Sequence, residues 1–462
     1  MRCNLSVFLL FFSLIPGLSS AQSADADLMP ATFFEGRRAA FRNLMPDSSL
    51  AVIFANPIRN RSNDVDYQYS QDPNFYYLTG FRDPDAVLLM FKEPRNFDGE
   101  LTNTVIFVRP KDAKQETWTG IRPDLNQVSK ITSITKVYAT SDFNDFGFNA
   151  NSLKEILVHY PDQPNKEPMS KIALANLVDD FNAKVNSVKD RIDKSKANRL
   201  LATLREVKQP EELLLLKKAI AITADGFTEM LKAMKPGMTE YQAQAIVEYF
   251  VKNNGGEYQG YPSICGAARN SCVLHYEANR KVVNDGEVLL TDIGGEYHGY
   301  TADITRTFPI NGKFTAEQKQ IYQIVLDAQT AGIKVCRAGA DFRATHKATM
   351  EVVTEGLLKL GIISSKDDAS TYFMHGTSHY LGLDVHDAGT YGPLKVGSVI
   401  TVEPGIYIPA GAKCDPKWWN IGVRIEDDIL ITDGDPVNLS GNIPREAEAI
   451  EKLMAKDSFL NR

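Results

Sequence analysis

The chain is poor in cysteine, with five in 462 residues, no Cys-Xaa-Xaa-Cys pair and no long basic run. Cys3 stands near the N-terminus, and Cys265, Cys272, Cys336 and Cys414 are scattered, which excludes a disulfide-stapled scaffold and a thiolate zinc site. Its 51 basic residues are dispersed and outnumbered by 58 acidic ones, for a net charge of −7. A phosphate backbone would find no surface on which to release counterions, so nucleic acid is excluded as a partner. No apolar run is long enough to cross a bilayer: the best candidate, Leu5 to Leu18, is interrupted by Ser6, Ser13, Pro16 and Gly17. It follows Arg2 and precedes Ser19-Ser20-Ala21, the pattern of a secretory signal peptide over residues 1–21. An N-terminal anchor is the competing reading. Cleavage after Ala21 would leave a secreted or periplasmic protein with no membrane segment. At 43% hydrophobic and 24% charged residues the chain is neither disordered nor fibrous.

The length exceeds one ordinary core and suggests two domains. Over residues 22–195, apolar runs at Ala51 to Ala55, Ala86 to Phe91 and Thr104 to Val108 alternate with Asn/Asp/Pro-rich turns. A helical stretch follows near Lys171 to Val188, so this part reads as a smaller, mixed α/β domain. Over residues 196–462 the pattern is sharper. Pro210 opens a helix that Pro236-Gly237 stops, and Thr239 with Gln242 caps a second that ends at Asn253-Asn254-Gly255-Gly256. Strands are expected across Val288 to Thr307. Thr315 with Gln318 then caps a third helix, and a fourth runs from Asp341 to near Gly361. Further strands follow at Val399 to Glu403 and Val423 to Ile431. Two helices followed by strands, twice over, fit either an internally duplicated α/β (α+β) unit with a site between its halves or a chance succession of common elements.

A two-residue turn at His298-Gly299 would set Tyr297 opposite Tyr300 and Asp303 opposite Gly294. Asp292 then lies diagonally across from Asp303 on the same face, about 7–8 Å away between backbones. Two converging carboxylates repel unless a cation lies between them. Glu403 ends an apolar strand, and in Val423-Arg424-Ile425-Glu426 a period of two puts Arg424 and Glu426 on one face. For each of these acids taken singly, a salt bridge such as Glu426 with Arg424 is the simpler reading. The histidines shift that balance: of seven, His375, His379 and His386 fall within one glycine-rich stretch, as at a metal or catalytic site. His159, His298 and His346 are read as surface or turn residues.

The segments TDIGGEYHGYTADITRTFP, FMHGTSHYLGLDVHD, TVEPGIYI and VRIEDD resemble the ligand motifs of Xaa-Pro aminopeptidases (aminopeptidase P). These belong to the pita-bread metallopeptidases, which include prolidase, methionine aminopeptidase and creatinase. NFYYLTGF, Asn74 to Phe81, is similar to a segment of the N-terminal domain that aminopeptidase P shares with prolidase. The resemblance implies a pita-bread catalytic domain with pseudo-two-fold duplication. It implies two divalent ions, manganese first and cobalt, iron or zinc otherwise, held by Asp292, Asp303, His379, Glu403 and Glu426. Asp303 and Glu426 would be shared between the ions, and a hydroxide bridging them would attack the carbonyl before proline. Glu403 would relay a proton, His275 and His386 would contact substrate at the scissile bond, and His375, Tyr407 and Arg424 would join His275 around the proline. Peptides with proline in second position are then the substrates, and association into dimers or tetramers is expected. Prolidase, acting on Xaa-Pro dipeptides, is the alternative, followed by a non-catalytic peptide- or metal-binding protein on the same fold.

Overall fold

Ser49–Phe54 is buried along its whole length, because it lies at the middle of a six-stranded sheet covered on both faces. It runs antiparallel to Val87–Phe97 and parallel to Glu155–His159. Glu100–Val108 with Lys136–Ala139 extends one side, and Ile192–Asp193 ends the other. Leu50, Val52 and Phe54 pack with Phe181 on one face. Ala51 and Ile53 point the other way, into the core that holds Phe33, Phe34 and Phe41 of helix Ala31–Leu44. This computed structural model describes residues 27–161 and 173–461, so the expected signal peptide at 1–21 lies outside the described residues. Among the described residues no helix is long and apolar enough to cross a membrane.

The Asn74 to Phe81 motif forms the short helix Pro73–Thr79. Asp72 accepts from the Phe75 amide at its start, and Gly80 at φ 68° ends it. A Cβ at Gly80 would strike the Phe34 ring, so only glycine fits both the backbone and the packing. Lys196–Arg205 packs on helix Ala31–Leu44 and on strand Glu155–His159, and so sits by packing with the N-terminal sheet.

Helices Pro210–Ala233 and Glu240–Asn253 cross where Gly226 leaves room for the Val247 backbone. Their capping residues are those expected, Gln242 accepting from the Thr239 amide at 2.8 Å. The hairpin register also follows the expectation. Tyr297 pairs with Tyr300 and Glu296 with Thr301, and the same register carries through to Asp292 with Thr305 and Val288 with Pro309. His298 and Gly299 both take positive φ, as a tight hairpin turn of this hand requires. Ala316–Lys334 and Ala344–Lys359 repeat the helical pair, and Val399–Val402 begins the second set of strands.

One strand departs from expectation. Val423 to Ile431 is two strands: Ile421–Arg424 pairs with Gly405–Ile408, and Asp427–Leu430 pairs with Val399–Val402. The chain changes partners at Ile425-Glu426, where the Glu426 amide donates to the Thr305 carbonyl at 3.1 Å. Arg424 and Glu426 therefore do not share one regular strand face, and the ion pair of Arg424 is with Asp292.

Candidate metal centre

Four elements deliver side chains to one point. Asp292 ends the strand Val288–Asp292, and Asp303 lies across the hairpin from it. His379 is fixed by its amide, which donates to Thr401 Oγ1 at 3.1 Å, and by the Thr401 amide, which donates back to its carbonyl. The Glu403 amide donates to the Thr377 carbonyl at 2.9 Å, and Glu426 sits at the strand exchange. Asp303, His379 and Glu426 each bring a ligand atom within 4.8 Å of the others. His379 Nε2 lies 3.3 Å from Asp303 and 3.5 Å from Glu403. Asp292 joins through Tyr261, whose hydroxyl is 2.6 Å from both Asp292 Oδ1 and Asp303 Oδ1.

The protonation states show what this arrangement needs. The His379 Nδ1–H donates to the Tyr380 carbonyl at 3.0 Å, an acceptor only. Nε2 therefore faces two carboxylates with a lone pair, unless a second proton or a metal ion takes that position. Burial opposes a charge on His379, but Asp303 and Glu403 outweigh it and raise the imidazole to about 9. Burial, reinforced by neighbouring acids, pushes Glu403 up to about 7, raises Asp303, and raises Glu426 well above the carboxylate range. One hydroxyl proton of Tyr261 serves one acceptor at a time, so its two short contacts repeat the same demand. Acids this crowded and this buried require positive charge, and four carboxylates with one imidazole form a hard, oxygen-rich donor set that fits divalent cations.

Arg424 supplies one fixed charge. It reaches Asp292 Oδ2 at 2.6 Å and donates to the Tyr407 hydroxyl at 2.9 Å and to Thr305 Oγ1 at 3.2 Å. Thr305 in turn donates to Glu426 at 2.7 Å. His375 Nε2 meets the Tyr407 hydroxyl at 2.8 Å, so His375, Tyr407 and Arg424 form one line beside the acids. The His386 ring lies 4.1 Å from that of His379, exposed on one side, and burial with the nearby charges of His379 and His275 lowers it to about 4. His275 is exposed and makes no hydrogen bond among the described residues.

The three other histidines are not surface residues. His159 is buried with Nε2 2.8 Å from Asp72, tying the central sheet to helix Pro73–Thr79. His298 occupies its turn but is buried between Glu257 and Asp27. His346 is half-buried, its Nδ1 3.0 Å from Thr377 Oγ1, where it braces the segment leading to His379. In each case the partner is remote in sequence. Tyr261 was not expected at the site either, since nothing around Tyr258-Gln259-Gly260-Tyr261 marks it in the sequence.

Donors of this kind define the class of a metal-dependent hydrolase. The family model described as metallopeptidase family M24 matches residues 215–433, and that described as aminopeptidase P, N-terminal domain, matches residues 34–157. The chain is 35% identical to the Xaa-Pro aminopeptidase of Escherichia coli (strain K12), over 91% of this chain and 97% of that one. It is 31% identical to Xaa-Pro aminopeptidase 3 of Homo sapiens, over 88% and 81%. Among solved structures, E. coli aminopeptidase P with the inhibitor Pro-Leu superposes with a TM-score of 0.82 at 33% identity, over 92% of this chain and 98% of that one. Proline aminopeptidase P II from Yersinia pestis gives the same TM-score at 32% identity, over 92% and 100%. The chain belongs to metallopeptidase family M24 and, with its matching N-terminal domain, to the aminopeptidase P group within it.

Proposed function

We propose that the protein is an Xaa-Pro aminopeptidase that uses two divalent ions to release the N-terminal residue from peptides with proline in second position. Asp292, Asp303, His379, Glu403 and Glu426 would hold the ions. The observation that carries this reading is the His379 Nε2 facing Asp303 and Glu403, with Glu426 in the same cluster. Divalent ions bound there supply Lewis-acid polarisation of the carbonyl and a nucleophilic water at neutral pH. Glu403, 3.5 Å from His379 Nε2, accepts a proton and passes it to the departing proline nitrogen. His386 and His275, at the exposed side, orient the peptide at the scissile bond. Proline fixes φ and offers no N–H, so His375, Tyr407 and Arg424 form a shaped wall for its ring in place of backbone pairing.

Manganese is the ion proposed, because a single imidazole among carboxylates suits manganese, cobalt or iron better than a thiolate-type zinc centre. One solved relative is described as a zinc-substituted E. coli aminopeptidase P in complex with product, so that relative accommodates zinc as well. Export to the periplasm or medium is proposed from the pattern of residues 1–21 alone, and cell fractionation tests it. For the activity, hydrolysis of an Xaa-Pro dipeptide is compared with that of an Xaa-Pro-Yaa-Zaa tetrapeptide. Release of Xaa from the tetrapeptide, lost with chelator and restored by manganese, is expected; turnover of the dipeptide alone makes the enzyme a prolidase. Asp303→Asn should lower kcat/KM at least about 100-fold and reduce bound metal, and an unchanged rate would refute the ligand assignment.

A further inference from the structure

A cavity of about 780 Å³ lies between the N-terminal sheet unit and the ribbon that bears Glu296, with Tyr67, Tyr69 and Tyr76 in its wall, but none of its lining residues belongs to the metal centre. The buried acid that bears on the centre is Glu240, at the first position of helix Glu240–Asn253 and 0% exposed. A buried carboxylate is costly unless its oxygens are hydrogen-bonded, and Glu240 has four donors. Its Oε1 accepts from the Ala267 amide at 2.8 Å and from Asn270 Nδ2 at 3.0 Å. Its Oε2 accepts from the Tyr276 hydroxyl at 3.0 Å and from the Lys281 amide at 2.8 Å. One oxygen serves the chain before His275 and the other the chain after it. A single carboxylate thereby closes the neck of the loop Ala267 to Lys281.

The same stripe of the helix completes the grip, since Gln244 and Glu248 follow Glu240 one turn and two turns on. Gln244 Oε1 accepts from Asn279 Nδ2 at 2.9 Å, and Glu248 accepts from Ser263 Oγ at 2.8 Å. Asn279 also accepts from the Cys265 amide at 2.9 Å and donates to the Ser263 carbonyl at 2.7 Å. The backbone registers the constraint. Ala268, next to the clasped Ala267 amide, takes φ 49°, a left-handed conformation that alanine adopts only where its surroundings impose it. His275 is exposed and has no hydrogen bond among the described residues, so the loop, rather than a partner of its own, sets where the imidazole stands. Its neighbours Leu274 and Tyr276 pack in one small cluster with Tyr407, and His275 lies within electrostatic reach of His386.

We propose that Glu240 is a positioning residue for His275: by tying together the two limbs of the loop, it holds an otherwise unpartnered imidazole at the face of the metal centre that receives the peptide. The inference rests on the aminopeptidase reading, which gives His275 its place at the scissile bond. Glutamine in place of Glu240 keeps one acceptor oxygen and turns the other into a donor. Whichever way that amide lies, one limb of the loop meets N–H with N–H and is pushed off.

The test measures kcat and KM for a Leu-Pro-tetrapeptide with the manganese-loaded wild-type enzyme, Glu240→Gln, His275→Ala and the double variant. Glu240→Gln should lower kcat/KM about tenfold or more, with bound manganese unchanged and the same split between kcat and KM as His275→Ala. The double variant should be no slower than His275→Ala alone, because the two changes remove one function. Loss by the same factor with and without His275, loss of bound manganese, or a folded Glu240→Gln with wild-type kcat/KM overturns the proposal. If Glu240→Gln does not fold, Tyr276→Phe, which removes a single half-buried donor, decides: a loss of about threefold that disappears in the His275→Ala background supports the proposal. A loss that persists in that background, or no loss, overturns it. In each of these cases the wild type still cleaves before proline, so the aminopeptidase reading stands; a wild type that releases no first residue overturns both.

Discussion

Tyr261 is the residue at this centre that the sequence conceals. Asp292, Asp303 and His379 announce themselves by charge, spacing and glycine-rich surroundings, whereas a tyrosine in the bend after the short strand Tyr258–Gln259 carries no periodicity. Its role exists only because the Gly260 amide donates to the Gly294 carbonyl at 2.9 Å, which sets the next side chain over both aspartates. Tyr261→Phe should leave the fold intact and weaken metal retention about tenfold, measured by activity against free manganese concentration; partners just outside a ligand set contribute on that scale. An unchanged manganese dependence would reduce Tyr261 to packing.

Among the elements, the hairpin was the most legible, because a two-residue turn fixes register and the register fixes both aspartates. Three helices of the catalytic unit were legible through their caps and stops; the fourth starts at Ala344 rather than Asp341, without a side-chain cap, and Ala447–Met454 left no signal that was read. The strand exchange at Glu426 was not, since a continuous β-rich run gives no sign that its two halves pair with different neighbours. Nor was the charged knot around Asp387. Its carboxylate meets Lys208 at 2.7 Å and Arg205 on its other oxygen, and these side chains are only 1%, 0% and 3% exposed. Arg205 also donates to Asn74 at 2.8 Å, so the knot ties helix Pro73–Thr79 to the residue after His386. These partners lie more than a hundred residues apart, beyond any local pattern. Asp387→Ala would leave Lys208 buried without a counter-charge and should cost about 3–5 kcal/mol in urea denaturation. A loss below 1 kcal/mol would show that water replaces the carboxylate.

For the whole molecule, the start of the described chain is fastened to the hairpin turn by charge. His298 Nε2 lies 3.0 Å from Asp27 and its Nδ1 2.9 Å from Glu257, while Tyr297 donates to Asp27 at 2.6 Å. Burial and Arg82 oppose the imidazolium, but the hydrogen bonds to Glu257 and Asp27 outweigh them and raise His298 above its ordinary value. A raised folded pKa stabilises most below the unfolded value of about 6.5, and that contribution fades as pH rises through the folded value. The melting temperature of wild type minus that of His298→Asn should therefore be largest near pH 6 and shrink toward pH 9; a constant difference would mean the contacts act without charge. The aromatic wall of the cavity beside Glu296 comes from the N-terminal unit, while the hydrolytic acids all come from the other. Divergence in the stretch from Asn56 to Gln71 would thus reshape this cavity without rebuilding the apparatus that cuts.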